Sequence, residues 1–199
     1  MNKNSPLYKT RRAISKNRNF GVVYALYPQG LRRTLEFKAG LNTTLAEYAT
    51  IIANLQVRYP QLAKRQESAK ERAQGHLYAE TFLGRRRYIP NIAYDGWNKR
   101  SFAECCAMNT PIQGTAADIL KIALGRILEG LLERPWLRPL LQIHDEVLLK
   151  VPVDRITDAT RFVKSCREAQ PFQEFGVPIV AESVVEHRFG ELHIVKVSL

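Results

Sequence analysis

Three polar residues, His144, Asp145 and Glu146, lie between two apolar runs in the stretch 139–152, PLLQIHDEVLLKVP. Short apolar runs joined by so few residues are typical of two antiparallel strands with a tight turn at or beside His144-Asp145. A polar group such as HDE is by itself more typical of a solvated hairpin tip than of a catalytic site. We expect the long apolar flanks to be buried in a sheet, where adjacent carboxylates repel each other unless a cation lies between them.

The two carboxylates of this turn have the chemistry of a magnesium site. Mg²⁺ binds through one or two protein carboxylates together with substrate phosphates and waters. One turn offers too few ligands for a closed metal cage. The pattern therefore indicates a shared site, completed by phosphate oxygens and by another carboxylate elsewhere. We expect His144 to hydrogen-bond to substrate or backbone rather than to bind the metal.

The rest of the chain has mostly helical periodicity. Apolar spacing predicts helices over about 9–26, 44–58, 61–74, 97–108 and 154–170. Residues 76–92 have the composition of a short hairpin that turns near Gly84, and a last strand is predicted near 177–186. Strands that are grouped rather than alternating with helices indicate an α+β fold, an antiparallel sheet with helices packed on one face.

The stretch NTPIQGTAADILKIALGRILEGLLE has a strong helix start signal. Thr110 is a good N-cap, Pro111 suits the first helical position, and Gln113 completes a Thr-x-x-Gln capping box. The apolar residues that follow predict a helix with a wide apolar face.

Arg12, Lys16, Phe20 and Tyr24 recur every fourth residue in the first predicted helix and form a stripe. One interpretation is a solvated basic face that leads into a buried aromatic end. However, Arg12 and Lys16 are like charges at i,i+4, a mildly destabilising pair unless an anion lies between them. A triphosphate would supply that anion, and the aromatic rings would offer a flat surface to a base or sugar.

The chain has 30 Lys and Arg against 19 Asp and Glu, a net charge of +11. This charge favours a polyanionic partner, nucleic acid before membrane, although charge alone leaves a merely basic protein open. No apolar run reaches the roughly 18 residues of a membrane span, and the N-terminus lacks the apolar core of a signal peptide. We therefore expect a cytoplasmic location, at a nucleoid or viral replication site. The three cysteines match no zinc or redox spacing, which predicts reduced and mostly buried thiols.

Four stretches resemble, in order and approximate spacing, the later motifs of family A DNA polymerases, the DNA polymerase I type. They are RAISKNRNFGVVY, ETFLGRRRYIPNI, NTPIQGTAAD and QIHDE. The resemblance covers the chain from about residue 9 to 152. It implies a helical fingers segment at 1–94 and a C-terminal palm segment at 95–199, a partial palm in which an antiparallel sheet packs against helices.

The resemblance also implies roles for the basic stripe. Arg12 and Lys16 would contact the phosphates of the incoming dNTP, and Lys16 would also donate charge or a proton to the leaving pyrophosphate. Phe20 would lie against the sugar and base of that nucleotide, and Tyr24 would stack near the templating position.

In the acidic turn, the resemblance makes Asp145 a catalytic metal ligand and Glu146 its supporting carboxylate. His144 would lie near the primer end. Two Mg²⁺ ions would be shared between this turn and a further Asp, because in-line phosphoryl transfer with two ions needs both sources of carboxylate.

DNA contacts are implied for a third group of residues. Arg85, Arg86 and Arg87 would grip the duplex backbone, with a solvated turn as the alternative. Gln113, with Asn109 nearby, would face the minor groove, where one amide donor can check the shape of a pair without reading sequence. In the alternative, Gln113 completes the capping box, and its amide hydrogen-bonds within the chain instead of facing the DNA.

The family's earlier catalytic Asp lies on a palm strand before the fingers helix, and nothing upstream of residue 9 can supply it. The thumb is missing too. We therefore expect the C-terminal part of a split or truncated polymerase, inert alone, whose companion chain carries the earlier palm motif and the thumb. Its partners would be primer–template DNA and dNTP, and the incomplete sheet would expose an edge. The alternative is a non-catalytic nucleic-acid-binding remnant of a polymerase.

Overall fold

The computed structural model describes residues 5–23, 30, 32–33, 36–37, 44–94 and 96–186. It divides into two compact units, Met1–Thr115 and Ala116–Leu199. Both are mainly helical, and each contains one antiparallel two-stranded sheet in its described part. The α+β class predicted from the sequence is confirmed. The proposed division into fingers and palm after residue 94 stays a prediction.

Four helices of the first unit follow the predicted periodicity. They are α1 (Pro6–Val23), α2 (Leu45–Arg58), α3 (Pro60–His76) and α4 (Trp97–Asn109). The predicted helices are confirmed over their described residues, and residues 24–26 lie outside the described part. A capping box starts α2, with Glu47 N–H donating to Thr44 Oγ1 at 3.3 Å and Thr44 N–H donating to Glu47 Oε2 at 2.7 Å.

The predicted hairpin is confirmed as strands β1 (Tyr78–Glu80) and β2 (Arg86–Tyr88). Gly84 has a φ of +82° in the connecting turn, a conformation that favours glycine. The hairpin packs against α3 and α4 over one apolar core. The buried residues of that core are Ala73, Ala79, Ile89, Ile92, Ala103, Cys106 and Ala107.

The predicted helix start at Thr110 is wrong. The chain does not break after α4 but continues through a π-helical turn, Thr110–Gly114, into α5 (Thr115–Gly130). Thr110 itself is helical, with φ −56° and ψ −43°. Its hydroxyl donates back to Cys106 O at 2.7 Å, and no side-chain cap begins the π-helical turn.

The second unit contains strands β3 (Arg138–Ile143) and β4 (Glu146–Lys150) and helix α6 (Ile156–Glu168). Both strands and the helix predicted at 154–170 are confirmed. The expected burial of the strand flanks is wrong for β3, since all six of its residues are exposed. β3 and β4 pair only with each other in the described part, which leaves the outer edge of each strand without a strand partner there.

The strand predicted near 177–186 is wrong. Within the part of the chain that the structure describes, these residues pair with no strand, and Ala181 N–H instead donates to Glu168 Oε1 at 2.9 Å. A strand requires a neighbour to complete its backbone hydrogen bonds, and the β-branched composition of this segment does not supply one.

The three cysteines are free, with Cys106 and Cys166 buried, as predicted. Burial raises the pKa of the Cys105 and Cys166 thiols, which keeps them protonated and unreactive at neutral pH. None of the helices described is long and apolar enough to cross a membrane.

Candidate functional site

The acidic turn joins β3 to β4 through two residues, His144 and Asp145. Ile143 pairs with Glu146 across the strands, and so the turn is as tight as the sequence predicts. The positive φ that the turn requires, 53°, falls on His144 rather than on Asp145. Non-glycine residues seldom adopt this conformation, and it persists only where neighbouring groups hold it.

Two side chains hold the backbone of this turn. Gln142 Nε2 donates to His144 O at 3.0 Å, and Arg167 Nη2 donates to Asp145 O at 2.5 Å. Arg167 lies in the last turn of α6, 22 residues further along the chain. Sequence analysis missed both residues, and the only signal for Arg167 was a cation near the end of a predicted helix.

Close packing fixes α6 against α5. Gly130 lies so near the Phe162 ring that an added Cβ would be 2.2 Å from Phe162 Cζ. Arg126 donates to Ala169 O at 3.0 Å and to Gln170 O at 2.9 Å, and thereby caps the C-terminal end of α6. These contacts place Arg167, and through it the backbone of Asp145.

His144, Asp145 and Glu146 are all exposed. Within the described ranges, no group of three or more His, Cys, Asp or Glu side chains could hold a metal ion. Asp145 and Glu146 are adjacent hard-oxygen donors, and Mg²⁺ accepts one or two such carboxylates when phosphates and waters supply the rest. The turn therefore suits a shared metal site better than a closed one.

The basic helix belongs to the first unit. Arg12 and Lys16 lie one turn apart on α1, and both are exposed. Gln66 of α3 anchors the end of this helix by donating to Val22 O at 2.8 Å. Phe20 lies within α1, where only its backbone is described, and Tyr24 lies outside the described residues.

The tip of the β1–β2 hairpin packs against the π-turn. Phe82 N–H donates to Thr115 Oγ1 at 2.9 Å, and Arg85 Nη2 donates to Gly114 O at 3.0 Å. Gly114 makes this approach possible, since a Cβ there would lie 2.5 Å from Thr81 Cγ2. The hairpin thus fixes the backbone of the π-turn.

The π-turn carries the exposed Gln113, and the half-buried Asn109 precedes it at the end of α4. Because Thr110 is helical and makes no cap, the local use of the Gln113 amide in a capping box is excluded. π-helical turns inside helices occur frequently at functional sites. This position leaves Gln113 available to a partner outside the unit.

The three consecutive arginines have different surroundings. Arg85 donates to Gly114 O, as described above. Arg86 Nε pairs with Glu80 Oε2 at 3.0 Å and lies 4.6 Å from the centre of the Tyr78 ring; the hydrogen bond to Glu80 raises the pKa of Arg86. Arg87 is exposed beside a cavity between β2 and α4.

The predicted site residues thus occur in both units. The stripe on α1, the arginines, Asn109 and Gln113 belong to the first unit, and the acidic turn belongs to the second.

Comparisons with known proteins agree with the resemblance seen in the sequence. The model of DNA polymerase family A matches residues 2–191. DNA polymerase I of Geobacillus stearothermophilus is 39% identical over 180 residues, which are 90% of this chain and 19% of that protein. DNA polymerase I of Lactococcus lactis subsp. cremoris is 39% identical over 158 residues, 79% of this chain and 17% of that protein.

A solved structure has the same fold. The POL domain of Pol1 from M. smegmatis, in complex with DNA primer-template and dNTP, matches with a TM-score of 0.75 and 27% identity. The match covers 88% of this chain and 29% of that one. The chain therefore spans about a fifth of the length of the curated relatives that it matches. The chain belongs to DNA polymerase family A.

Proposed function

We propose that this chain takes part in DNA-templated DNA synthesis, the joining of a deoxynucleoside triphosphate to the 3′ hydroxyl of a primer. The observation that carries the proposal is the β3–β4 turn, in which the consecutive residues Asp145 and Glu146 are both exposed while Arg167 and Gln142 hold its backbone. Family membership supports it.

Asp145 and Glu146 fit Mg²⁺ by the chemistry of their oxygens and by their exposure. When bound, two such ions supply charge neutralisation at the reacting phosphate and activation of the primer hydroxyl. The two carboxylates hold these ions jointly with a further Asp. That residue and the thumb come from a companion chain or from further residues of a longer polypeptide.

On α1, Arg12 and Lys16 bind the triphosphate, because two exposed cations one turn apart match its charge. Lys16 also donates a proton to the leaving pyrophosphate. Phe20 and Tyr24 serve as the contacts to sugar and template in this assignment.

Duplex contacts come from Arg87, Gln113 and Asn109 of the first unit, and His144 lies at the primer end. Arg85 and Arg86 have partners within the protein. We therefore propose that they support DNA binding mainly by holding the hairpin and the π-turn in place.

Primer extension tests the proposal. The 199-residue chain, Mg²⁺, dNTPs and a labelled primer–template are incubated alone and with the companion polypeptide that copurifies with the chain from its source. We expect extension only in the second case, and loss of extension with Asp145→Ala. This substitution removes the carboxylate but keeps the backbone oxygen that Arg167 holds. Asp154→Ala is the matched control, because the Asp154 side chain is 76% exposed and lies outside the turn.

Extension by the chain alone would refute the proposal that its two carboxylates hold the metal ions jointly with a further Asp. Extension that survives Asp145→Ala would refute the catalytic assignment. DNA binding without extension, even when the further Asp and the thumb are supplied by a companion chain or by a longer polypeptide, would favour the non-catalytic remnant.

A further inference from the structure

A cavity of about 100 Å³ opens between the end of β2 and α4, entirely within the first unit. Its floor is apolar and belongs to the core, with Ile89, Ala103 and Cys106 at most 8% exposed. Arg87 and Phe102 border it. The predicted site residues other than Arg87 take no part in it.

Phe102 is 67% exposed in the middle of α4, although its neighbour Ala103 is buried. A single exposed apolar ring is ordinary on a protein surface. Here, however, the ring stands beside an apolar floor and a cation. A flat ring with these neighbours offers a stacking surface to another ring.

Arg87 lines the cavity at the end of β2, together with the next residue, Tyr88. Its cross-strand partner Ala79 is 7% exposed within the same core. Arg86 pairs with Glu80 and does not line the cavity. Of the three consecutive arginines, Arg87 is the one at the cavity.

We propose that this cavity binds an unpaired base of single-stranded DNA, with Phe102 stacking on the base and Arg87 binding the adjacent phosphate. Pockets for drug-sized ligands begin at about 300 Å³, and this cavity, at about 100 Å³, is smaller than that. The cationic border and the net charge of +11 favour a nucleic acid over a segment of another protein. The proposal rests on the proposed function for its partner, DNA, but not on the acidic turn.

The test measures binding of a labelled single-stranded oligodeoxynucleotide of about 12 nucleotides to the full chain by fluorescence anisotropy. We expect Phe102→Ala to weaken binding roughly 5- to 150-fold, the range found when an aromatic stacking partner of a base is removed. Phe102→Tyr should restore binding, because the ring is kept. Arg87→Ala should weaken binding and reduce the slope of log affinity against log salt by about 0.7, the loss of one phosphate contact.

Phe82→Ala is the matched control. Phe82 is 71% exposed on the hairpin tip and does not line the cavity, and its substitution should leave oligonucleotide affinity unchanged. An oligonucleotide with abasic sites should bind the wild-type chain and Phe102→Ala equally, because it has no base to stack. Circular dichroism melts verify that the variants are folded.

Equal affinity of Phe102→Ala and wild type for the normal oligonucleotide would overturn the proposal, even where Asp145→Ala abolishes primer extension. Loss of companion-chain binding with intact DNA binding in Phe102→Ala would identify a protein-docking site and overturn it too. Phe102-dependent DNA binding without extension in any combination would support the cavity while refuting the proposed polymerase function.

Discussion

Gly130→Ala should destabilise the second unit by crowding the contact between α5 and α6. The new methyl carbon would lie 2.2 Å from Phe162 Cζ and 2.7 Å from Phe162 Cε2. Carbon atoms in contact are separated by about 3.5–4.0 Å, so the ring must move by more than about 1 Å. Arg134 lies over the same ring, 4.0 Å from its centre, and ring movement would disturb this contact as well.

Two opposing effects decide the size of the change. Overpacking of this kind costs about 1–3 kcal/mol. Replacing glycine by alanine in a helix gains about 0.5–1 kcal/mol, and Gly130 has a φ of −72° that alanine adopts without strain. The net expectation is a loss on the order of 1 kcal/mol. Gly125→Ala, in the same helix with nothing within 4 Å of its Cβ position, should be stabilising by about 0.5–1 kcal/mol.

Urea unfolding followed by circular dichroism measures both variants, and the difference between them isolates the cost of crowding. Phe162→Leu provides a further check, since a shorter side chain should reduce the penalty of Gly130→Ala in the double variant. A Gly130→Ala protein as stable as Gly125→Ala would refute the close packing of α5 on α6.

Two further predictions concern the first unit. Gly114→Ala places a Cβ 2.5 Å from Thr81 Cγ2 and should lower the unfolding free energy by about 1–3 kcal/mol. Gly75→Ala is the control, because nothing lies within 4 Å of its Cβ position and its unfolding free energy should not fall. Equal urea midpoints for the two variants would contradict the packing of the hairpin against the π-turn. The hydrogen bonds from Thr44 lower the pKa of Glu47, so their stabilisation is present above the unfolded pKa of about 4.3 and is lost as pH falls through the depressed folded pKa. Thr44→Ala keeps the backbone N–H, the larger cause, and removes the hydroxyl, so it should reduce this pH dependence only in part in thermal melts between about pH 3 and 6; parallel profiles would be evidence against the hydroxyl's share in the capping box.

Helices were predictable from the sequence because the apolar spacing that indicates them is local. The start at Thr110 failed for a specific reason. A threonine hydroxyl can cap the helix that follows or donate to a carbonyl four residues behind, and residue pattern does not decide between them. The choice depends on the packing of the hairpin tip against Gly114, which brings together residues some 30 positions apart.

In the candidate site, the sequence pointed to the residues that we propose carry the chemistry but not to the residues that hold their backbone. Asp145 and Glu146 were found because adjacent carboxylates between apolar runs are unusual. Arg167 was missed because its contact is with a backbone oxygen 22 residues away, and such a contact leaves no trace in residue type. The β3 strand was expected to be buried because it is apolar, and the structure leaves it exposed.

That exposure changes the reason for regarding the acidic turn as functional. Adjacent carboxylates repel each other strongly only in a low-dielectric interior, and in water at about 4 Å the repulsion is on the order of 1 kcal/mol. The fold therefore needs no cation to tolerate Asp145 and Glu146. What does require explanation is the left-handed His144, a conformation that costs free energy of about 1–3 kcal/mol. Gln142 and Arg167 hold this backbone while Asp145 and Glu146 are exposed, and under the proposed function this support would preorganise the two carboxylates as metal ligands.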